Sequence, residues 1–160
     1  MIAIIDSGGA NIASVQFALE RLSAESVLTK DVKIIQSADK VLLPGVGAAP
    51  IAMPHLAKYE LIDCIRGLTQ PVMGICLGMQ LLFAASPEGN TPLLGIFDAD
   101  CETFTPSHGR SVPHMGWNRL STRQDHPLMA GVEEGAHVYF VHSYFARPVN
   151  SHHMVGTIEY

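Results

Sequence analysis

The sequence has few charges, few basic residues and no long apolar run. Charged residues make up 16% of the 160 residues, and ten Lys and Arg face fifteen Asp and Glu, which gives a formal net charge of −5 at pH 7. This balance leaves no basic stripe of the kind that follows a nucleic-acid backbone. The apolar runs at 72–75 and 77–85 end well short of the roughly 20 residues that span a bilayer. We therefore expect neither a nucleic-acid nor a membrane partner.

Cysteine is scarce and does not form a pairing pattern. The three cysteines, Cys64, Cys76 and Cys101, are far apart and odd in number, which suits neither a disulfide framework nor a zinc site. For Cys64 and Cys101 the favoured interpretation is a small buried apolar side chain. The N-terminal residues also lack the basic leader and cleavage site of a signal peptide. We expect a cytoplasmic protein without a metal or another cofactor.

The first half of the chain alternates short apolar segments with amphipathic ones, a pattern typical of strands and crossover helices in a parallel sheet. After residue 86 turn residues become frequent and the segments resemble strands. Strands are predicted at 2–5, 26–29, 40–43, 72–75, 93–97, 101–104, 116–120, 137–145 and 154–160, and helices at 12–22, 53–58, 61–68 and 77–85. In the first helix, Phe17 and Leu22 are counted with its apolar face. The prediction is one α/β domain over residues 1–160, with a mostly parallel sheet flanked by helices and an antiparallel β elaboration in the second half.

The most informative segment is Gly74-Ile75-Cys76-Leu77-Gly78-Met79-Gln80, between a predicted strand and a predicted helix. It has the form of a G-x-S-x-G nucleophile elbow with cysteine in place of serine. On such a sharp turn the nucleophile projects freely, and the flanking glycines let two backbones pass closely. Amides at a helix N-terminus, Leu77 among them, can stabilise a thiolate and an oxyanion. The pattern predicts that Cys76 is reactive.

A second glycine-containing loop, Pro44-Gly45-Val46-Gly47, follows the preceding strand. Carboxyl ends of parallel strands meet at one edge of a sheet, so the loop and Cys76 are expected together. The amides of Gly45 and Val46, with that of Leu77, are then candidates for an oxyanion hole. Alone, the loop would be interpreted as an ordinary Pro-Gly turn.

These two segments and Pro113-His114-Met115-Gly116-Trp117-Asn118 resemble the class I, or triad, glutamine amidotransferases, most of all the glutaminase subunits of imidazole glycerol phosphate synthases. The resemblance runs from Met1 to Tyr160. It implies a class I amidotransferase fold and a Cys76 thioester that releases ammonia from glutamine. It also implies a heterodimer with a cyclase subunit, which uses the ammonia in histidine biosynthesis to make imidazole glycerol phosphate and an aminoimidazole carboxamide ribotide. Relatives that serve anthranilate or GMP synthesis usually have histidine in place of Met79.

The same resemblance implies roles for further residues. Gly47 and Gln80 would contact the substrate glutamine, and the backbones of Ser143 and Tyr144 would hold its α-amino and carboxylate groups. The positions that would face the cyclase are Met115, Trp117, Asn118 and Tyr139. Without the resemblance, core packing would be the ordinary interpretation of Met115 and Trp117.

The family's activating histidine and glutamate lie in a Q-F-H-P-E stretch that does not occur in these 160 residues. We interpret the chain as truncated before that stretch and expect its glutaminase activity to be impaired. His126-Pro127 is followed by leucine, and His142 belongs to a different family element, so neither is favoured as the base. His152 and His153 would point to opposite faces of a strand, which disfavours a shared role. The alternatives are a noncatalytic docking fragment, another class I glutaminase subunit or another cysteine hydrolase.

Overall fold

A computed structural model describes residues 1–9, 11–122, 126–147 and 150–160. It divides into two compact units, Met1–Cys101 and Glu102–Tyr160. The prediction of an α/β fold with a mostly parallel sheet and smaller antiparallel sheets is confirmed. The single domain expected over residues 1–160 stays a prediction. Within the described residues, no helix has the length and apolar character needed to cross a membrane.

The first unit is built on a four-stranded parallel sheet in the order β2-β1-β3-β4. Its strands are β1 (Ile2–Ile5), β2 (Ser26–Thr29), β3 (Lys40–Gly45) and β4 (Val72–Cys76), and its helices are α1 (Ile12–Arg21), α2 (Val32–Ser37), α3 (Ala49–Lys58), α4 (Leu61–Arg66) and α5 (Leu77–Gln80). Two short strands, β5 (Ala85–Ser86) and β6 (Thr91–Pro92), flank a 3-10 turn at Glu88–Asn90. Consecutive residues Ile4 and Ile5 are fully buried, as expected for a strand covered on both faces.

Helix α1 corrects the predicted apolar face. Leu19 is buried, but Phe17 and Leu22 are 57% and 75% exposed. Side chains on one face of a helix recur every three or four residues, so Phe17, two positions from Leu19, points elsewhere. Leu22 follows the last helical residue as the C-cap. The prediction that Phe17 and Leu22 belong to the buried face rested on their apolar character alone, and it is wrong.

Helix α2 was not predicted, although the sequence contains its start signal. The Asp31 carboxylate accepts hydrogen bonds from the amides of Lys33 and Ile34, at 2.8 and 3.3 Å. This is a side-chain N-cap, which satisfies amides that the first helical turn leaves without partners. The helix spans only six residues and fully buries Ile35, so it lacks the repeated apolar spacing that reveals a longer helix.

The predicted helix at 77–85 is confirmed only over Leu77–Gln80, and the predicted strand at 93–97 is wrong, both for one reason. The helix ends at Gln80, because the carbonyls of Leu81, Leu82 and Phe83 accept hydrogen bonds from later amides instead of extending the helix. The donors are Leu94, Ile96 and Gly95, at 2.9, 2.9 and 2.7 Å. The segment at 94–96 therefore lies along the turn that follows α5. Its amides donate to that turn and not to a neighbouring strand.

From residue 101 onward the chain contains paired short strands. They are β7 (Cys101–Thr103) with β11 (Tyr144–Ala146), β8 (His114–Arg119) with β10 (His137–His142), and β9 (Ser121–Thr122) with β12 (Gly156–Thr157), together with 3-10 turns at Pro127–Met129 and Ser151–His153. The predicted strand at 137–145 is broken at Ser143. The strand predicted at 154–160 is reduced to β12. His152 and His153 lie in a 3-10 turn capped by Asn150, so the strand alternation assumed for them is wrong.

Candidate active site

Cys76 has the backbone geometry of an elbow. It ends β4 and precedes α5, with φ 55° and ψ −120°. A non-glycine residue rarely adopts such a positive φ, and it persists only where the surrounding structure holds it. Cys76 is exposed and its thiol is free. A strained, accessible cysteine therefore lies between strand and helix.

Two of the contacts that hold the elbow are between backbones. A Cβ atom built on Gly78 would lie 1.8 Å from the Leu43 carbonyl oxygen, and one built on Gly74 would lie 2.4 Å from the Met79 Cα. The parallel register of β3 and β4 also places Gly45 beside Cys76. Since backbone atoms cannot move aside as a flexible side chain can, positions 74 and 78 have room only for glycine.

The loop after β3 is anchored by a serine that the sequence analysis did not single out. Ser7 is 5% exposed, and its hydroxyl donates a 2.6 Å hydrogen bond to the Pro44 carbonyl. Beyond Pro44, Val46 is half exposed and Gly47 has φ +92° with open space where a side chain would be. The sequence could have indicated this contact by position alone. Ser7 follows β1 at the carboxyl edge of the sheet, where β3 also ends.

A second group of contacts involves Asp6 and Gly8, the residues on either side of Ser7. Gly8 has φ +85°, and the His55 ring occupies the space where its side chain would be. The Asp6 carboxylate lies 3.1 Å from the Lys30 ammonium, and this hydrogen bond raises the pKa of Lys30. The ammonium also lies 4.3 Å from the centre of the Tyr59 ring. The two side chains are 31% and 32% exposed, so water screens this ion pair in part and it orients the loop more than it stabilises the fold.

The first unit thus brings several predicted site residues together around the elbow. Leu77 begins α5 and is 3% exposed, and its Cβ lies near the position a Gly45 side chain would take. Gln80 ends the same helix and is 7% exposed. Because α5 has only four residues, stabilisation of an anion at Cys76 must come from individual amides more than from a long helix dipole.

The other two cysteines differ from Cys76 in environment. Cys64 and Cys101 are 5% and 3% exposed, which confirms their interpretation as small buried side chains. Burial raises the pKa of the Cys64 thiol. Burial, together with the charge of Asp100, raises the pKa of Cys101 to about 11. At neutral pH almost none of the Cys101 thiol is ionised, and thiolate is the reactive form.

The second unit places three of the predicted partner-facing residues on one surface. Met115, Trp117 and Tyr139 are 58%, 67% and 52% exposed, so core packing is the wrong interpretation of Met115 and Trp117. In the β8–β10 register Trp117 pairs with Tyr139, and their rings are 5.4 Å apart in an edge-on arrangement. Val141, opposite Met115, adds a fourth exposed apolar side chain. We call these four residues the apolar face.

Asn118 does not belong to the apolar face. Successive side chains of a strand point to opposite sides, so Asn118 lies on the side away from Trp117. Its Nδ2 donates a 2.7 Å hydrogen bond to the Glu159 carbonyl, and its Oδ1 lies 2.8 Å from His114 Nε2. The expectation that Asn118 faces a partner stays a prediction, although this side chain also makes hydrogen bonds within its own unit.

Ser143 and Tyr144 lie at the break between β10 and β11. The Ser143 carbonyl accepts a 3.1 Å hydrogen bond from the Phe104 amide. The Tyr144 carbonyl lies 2.8 Å from His142 Nδ1, and His142 Nε2 lies 3.0 Å from His114 Nδ1. Both ring nitrogens of His142 are therefore engaged in hydrogen-bond contacts. No cluster of three or more His, Cys, Asp or Glu suited to a metal ion occurs among the described residues.

Comparison with known proteins gives a family match and close relatives. The sequence profile described as "Glutamine amidotransferase class-I" matches residues 3–158. The chain is 48% identical over 157 residues to the imidazole glycerol phosphate synthase subunit HisH of Mannheimia succiniciproducens, covering 98% of this chain and 79% of the relative. It is 50% identical over 143 residues to the protein of that name from Xylella fastidiosa, covering 89% and 72%.

Solved structures give the same fold at lower identity. One titled a glutamine amidotransferase aligns with a TM-score of 0.74 and 17% identity, covering 97% of this chain and 78% of the other. A putative GMP synthase subunit from Thermoplasma acidophilum aligns with a TM-score of 0.66 and 18% identity, covering 94% and 68%. At such identities the likeness concerns the fold alone.

The environments of the three thiols predict an order of alkylation. With limiting iodoacetamide at neutral pH, Cys76 should be modified well before Cys64 and Cys101, because it is exposed and they are buried with raised pKa values. Peptide mapping by mass spectrometry measures the order. Equal or faster modification of Cys101 in the folded chain would contradict the structure at the elbow.

The close approach at Gly78 predicts a large loss of stability on substitution. Gly78→Ala should lower the free energy of unfolding by at least about 3 kcal/mol, because the new methyl group would overlap the Leu43 carbonyl. Urea unfolding measures the change. Gly67→Ala is the matched control, since a Cβ there would lie 3.3 Å from the nearest atom outside its neighbours. Equal effects of the two substitutions would contradict this account.

Proposed function

Because this chain belongs to the class I glutamine amidotransferase family, we propose that it is the glutaminase subunit of an imidazole glycerol phosphate synthase of histidine biosynthesis. Its relatives with 48–50% identity bear that name. The observation that carries the enzymatic part is the exposed Cys76 at positive φ, held between glycines that approach neighbouring backbones. An ordinary structural cysteine has no need for this conformation.

In the proposed reaction, Cys76 sulfur attacks the side-chain amide carbon of glutamine. The carbon–nitrogen bond breaks, ammonia leaves and a glutamyl thioester remains. Water then hydrolyses the thioester, which gives glutamate and restores the thiol. The departing nitrogen takes up a proton, a transfer that the resemblance assigns to a histidine in a Q-F-H-P-E stretch. No such stretch is present in residues 1–160.

The proposal also assigns the groups that bind the substrate. Amides of Gly45, Val46 and Leu77 would donate to the oxyanion that forms on the amide carbonyl. Gly47 and Gln80 would contact glutamine, and the backbones of Ser143 and Tyr144 would hold its charged ends. The anchoring of Pro44 by Ser7 supports the first set, because a fixed loop keeps its amides oriented before the charge develops.

The proposed partner is the cyclase subunit, to which the ammonia passes. An exposed surface of contiguous apolar side chains is typical of a binding site for another protein. The apolar face offers a tryptophan and a tyrosine in edge contact, residue types that are enriched among energetically important interface positions. A cytoplasmic location also remains part of the proposal.

The enzymatic proposal predicts the effect of removing the nucleophile. With the cyclase present, Cys76→Ala should abolish the residual glutamate formation that a chain without the Q-F-H-P-E stretch retains, because no thioester can form. Cys64→Ala is the control and should retain most of the activity. Steady-state assays of glutamate release measure both. If the unsubstituted chain with its partner forms no glutamate, the noncatalytic docking alternative is favoured.

The docking proposal predicts a loss of affinity at the apolar face. Trp117→Ala should weaken binding to the cyclase by about 2 kcal/mol, or roughly 30-fold, because a large exposed aromatic side chain is removed. Isothermal titration calorimetry measures the dissociation constant. Phe17→Ala, which removes a 57% exposed aromatic ring from α1, should have little effect. A Trp117→Ala chain with unchanged affinity would exclude this face.

A further inference from the structure

Ser7 contacts β3 at the carboxyl end of the strand, where it becomes the Pro44-Gly45-Val46-Gly47 loop. We propose that Ser7 is a positioning residue of the glutaminase reaction, because its hydroxyl fixes the peptide from which the amides of Gly45 and Val46 follow. This inference rests on the proposed function, which assigns both amides to the oxyanion hole. Ser7 itself is assigned no contact with the substrate.

A proline near the end of β3 interrupts the hydrogen bonds between β3 and β1. The register pairs Ile4 with Leu42. Continued by one residue, it would bring the nitrogen of Pro44 to the carbonyl of Ile5, but proline has no N–H to donate. The Ile5 carbonyl accepts a 3.0 Å hydrogen bond from the Ser7 amide instead. Ser7 therefore supplies the donor that Pro44 lacks.

The side chain of Ser7 satisfies the next carbonyl along β3. Its Oγ donates a 2.6 Å hydrogen bond to the Pro44 carbonyl. Ser7 is 5% exposed and Pro44 is buried, and a buried carbonyl without a donor is costly. The carbonyl of Pro44 and the amide of Gly45 belong to one planar peptide unit. The Ser7 hydrogen bond therefore fixes the orientation of both groups.

The position of Ser7 is itself fixed by its neighbours along the chain. The Asp6 amide donates a 3.1 Å hydrogen bond to the Thr29 carbonyl, which continues the pairing of β1 with β2. The Asp6 carboxylate accepts a 3.1 Å hydrogen bond from the Gly8 amide. The His55 ring occupies the space beside Gly8. Because the backbone is held on both sides, the Ser7 hydroxyl has a defined place from which to act.

The elbow contacts the same peptide from the opposite side. Backbone amides alternate in direction along a strand, and the Val41 amide donates a 2.9 Å hydrogen bond to the Pro71 carbonyl, just before β4. The Gly45 amide, four residues later, therefore also faces β4, where its register partner is Cys76. A Cβ atom built on Gly45 would lie 2.6 Å from the first turn of α5. The peptide that Ser7 fixes thus lies directly against the elbow.

Beyond this peptide the loop is exposed. Val46 is half exposed, and Gly47 has open space where a side chain would be. At the far end of the loop, the Ala49 amide donates a 2.8 Å hydrogen bond to the Glu88 carboxylate. The exposed residues between these two hydrogen bonds are oriented through the ends at which they are held. For the Val46 amide, the nearer end is the Ser7 contact.

A change in the direction of these amides should affect the transition state more than the bound substrate. Oxyanion donors act on charge that develops only as the sulfur adds to the carbonyl carbon. Removal of one such donor typically lowers kcat by about 100 to 1,000-fold. Loss of the Ser7 hydroxyl would misalign donors without removing them. We therefore expect a smaller effect, about tenfold, which is the size of one hydrogen bond.

A reversible aldehyde tests this effect on the oxyanion hole alone. In the aldehyde analogue of glutamine, CHO replaces the side-chain amide. The Cys76 sulfur adds to its carbon and the thiol proton moves to the carbonyl oxygen, which takes the place of the oxyanion. With iodoacetamide the sulfur displaces iodide and no such oxygen forms. Ser7→Ala should raise the dissociation constant of the aldehyde about tenfold, measured by titration calorimetry. It should change the alkylation rate of Cys76 by less than about twofold, measured by peptide mapping.

Matched variants separate the hydroxyl from the shape of the side chain. Ser7→Thr keeps a hydroxyl and should restore most of the affinity for the aldehyde. Ser7→Val has nearly the shape of the threonine variant without its hydroxyl and should bind as weakly as Ser7→Ala. Ser37→Ala removes a hydroxyl that donates to the Ile34 carbonyl at 3.1 Å in α2 and should change neither measurement. Unchanged affinity in both Ser7→Ala and Ser7→Val would overturn the proposal, as would an equal loss of alkylation rate.

Steady-state kinetics with the cyclase present give a second measurement. Ser7→Ala should lower kcat for glutamate formation about tenfold and leave KM for glutamine within about twofold, because the hydroxyl acts on the transition state. A raised KM with unchanged kcat would contradict a role in the oxyanion hole.

Failure of this inference and failure of the proposed function are distinguishable. If the unsubstituted chain neither binds the aldehyde nor forms glutamate, the proposed function fails and the role of Ser7 fails with it. If the unsubstituted chain binds the aldehyde and Ser7→Ala binds it equally well, only the role of Ser7 is lost.

Discussion

The elbow depends on a contact between two backbones, the Gly78 main chain and the Leu43 carbonyl. With only 1.8 Å between that oxygen and the place of a Cβ on Gly78, α5 packs directly on the end of β3 without an intervening side chain. This approach turns the chain sharply after β4 and leaves Cys76 at positive φ. The strain at Cys76 is tolerated because the segments on both sides are already held by sheet register and close packing.

The sequence predicted the features whose cause is local or periodic. Buried runs such as β1 and the G-x-C-x-G spacing identified the sheet and the elbow, since each requires particular residue types at particular positions. It did not predict where α5 ends, because Leu81 and Phe83 continue the apolar pattern of the helix. Their carbonyls instead accept hydrogen bonds from amides more than ten residues later. Such competition depends on tertiary contacts, which a window of sequence does not contain.

The β8–β10 pair shows how one short segment serves two purposes. Trp117 and Asn118 are adjacent, yet Trp117 is exposed on the apolar face and Asn118 forms hydrogen bonds with His114 and the Glu159 carbonyl. The family resemblance grouped them as neighbours in sequence, whereas strand geometry separates them. The hydrogen bond between His114 and His142 had no sequence signal, because the two residues are 28 positions apart along the chain.

The exposure of Trp117 also has an optical consequence. It is the only tryptophan in the chain, so the ultraviolet emission of the protein comes mostly from one ring on the apolar face. That ring is 67% exposed and stands edge-on to Tyr139. Water around the indole should shift its emission to the red, and any protein that covers this surface should move it back toward the blue. The molecule thus contains its own fluorescent reporter of whether the apolar face is covered.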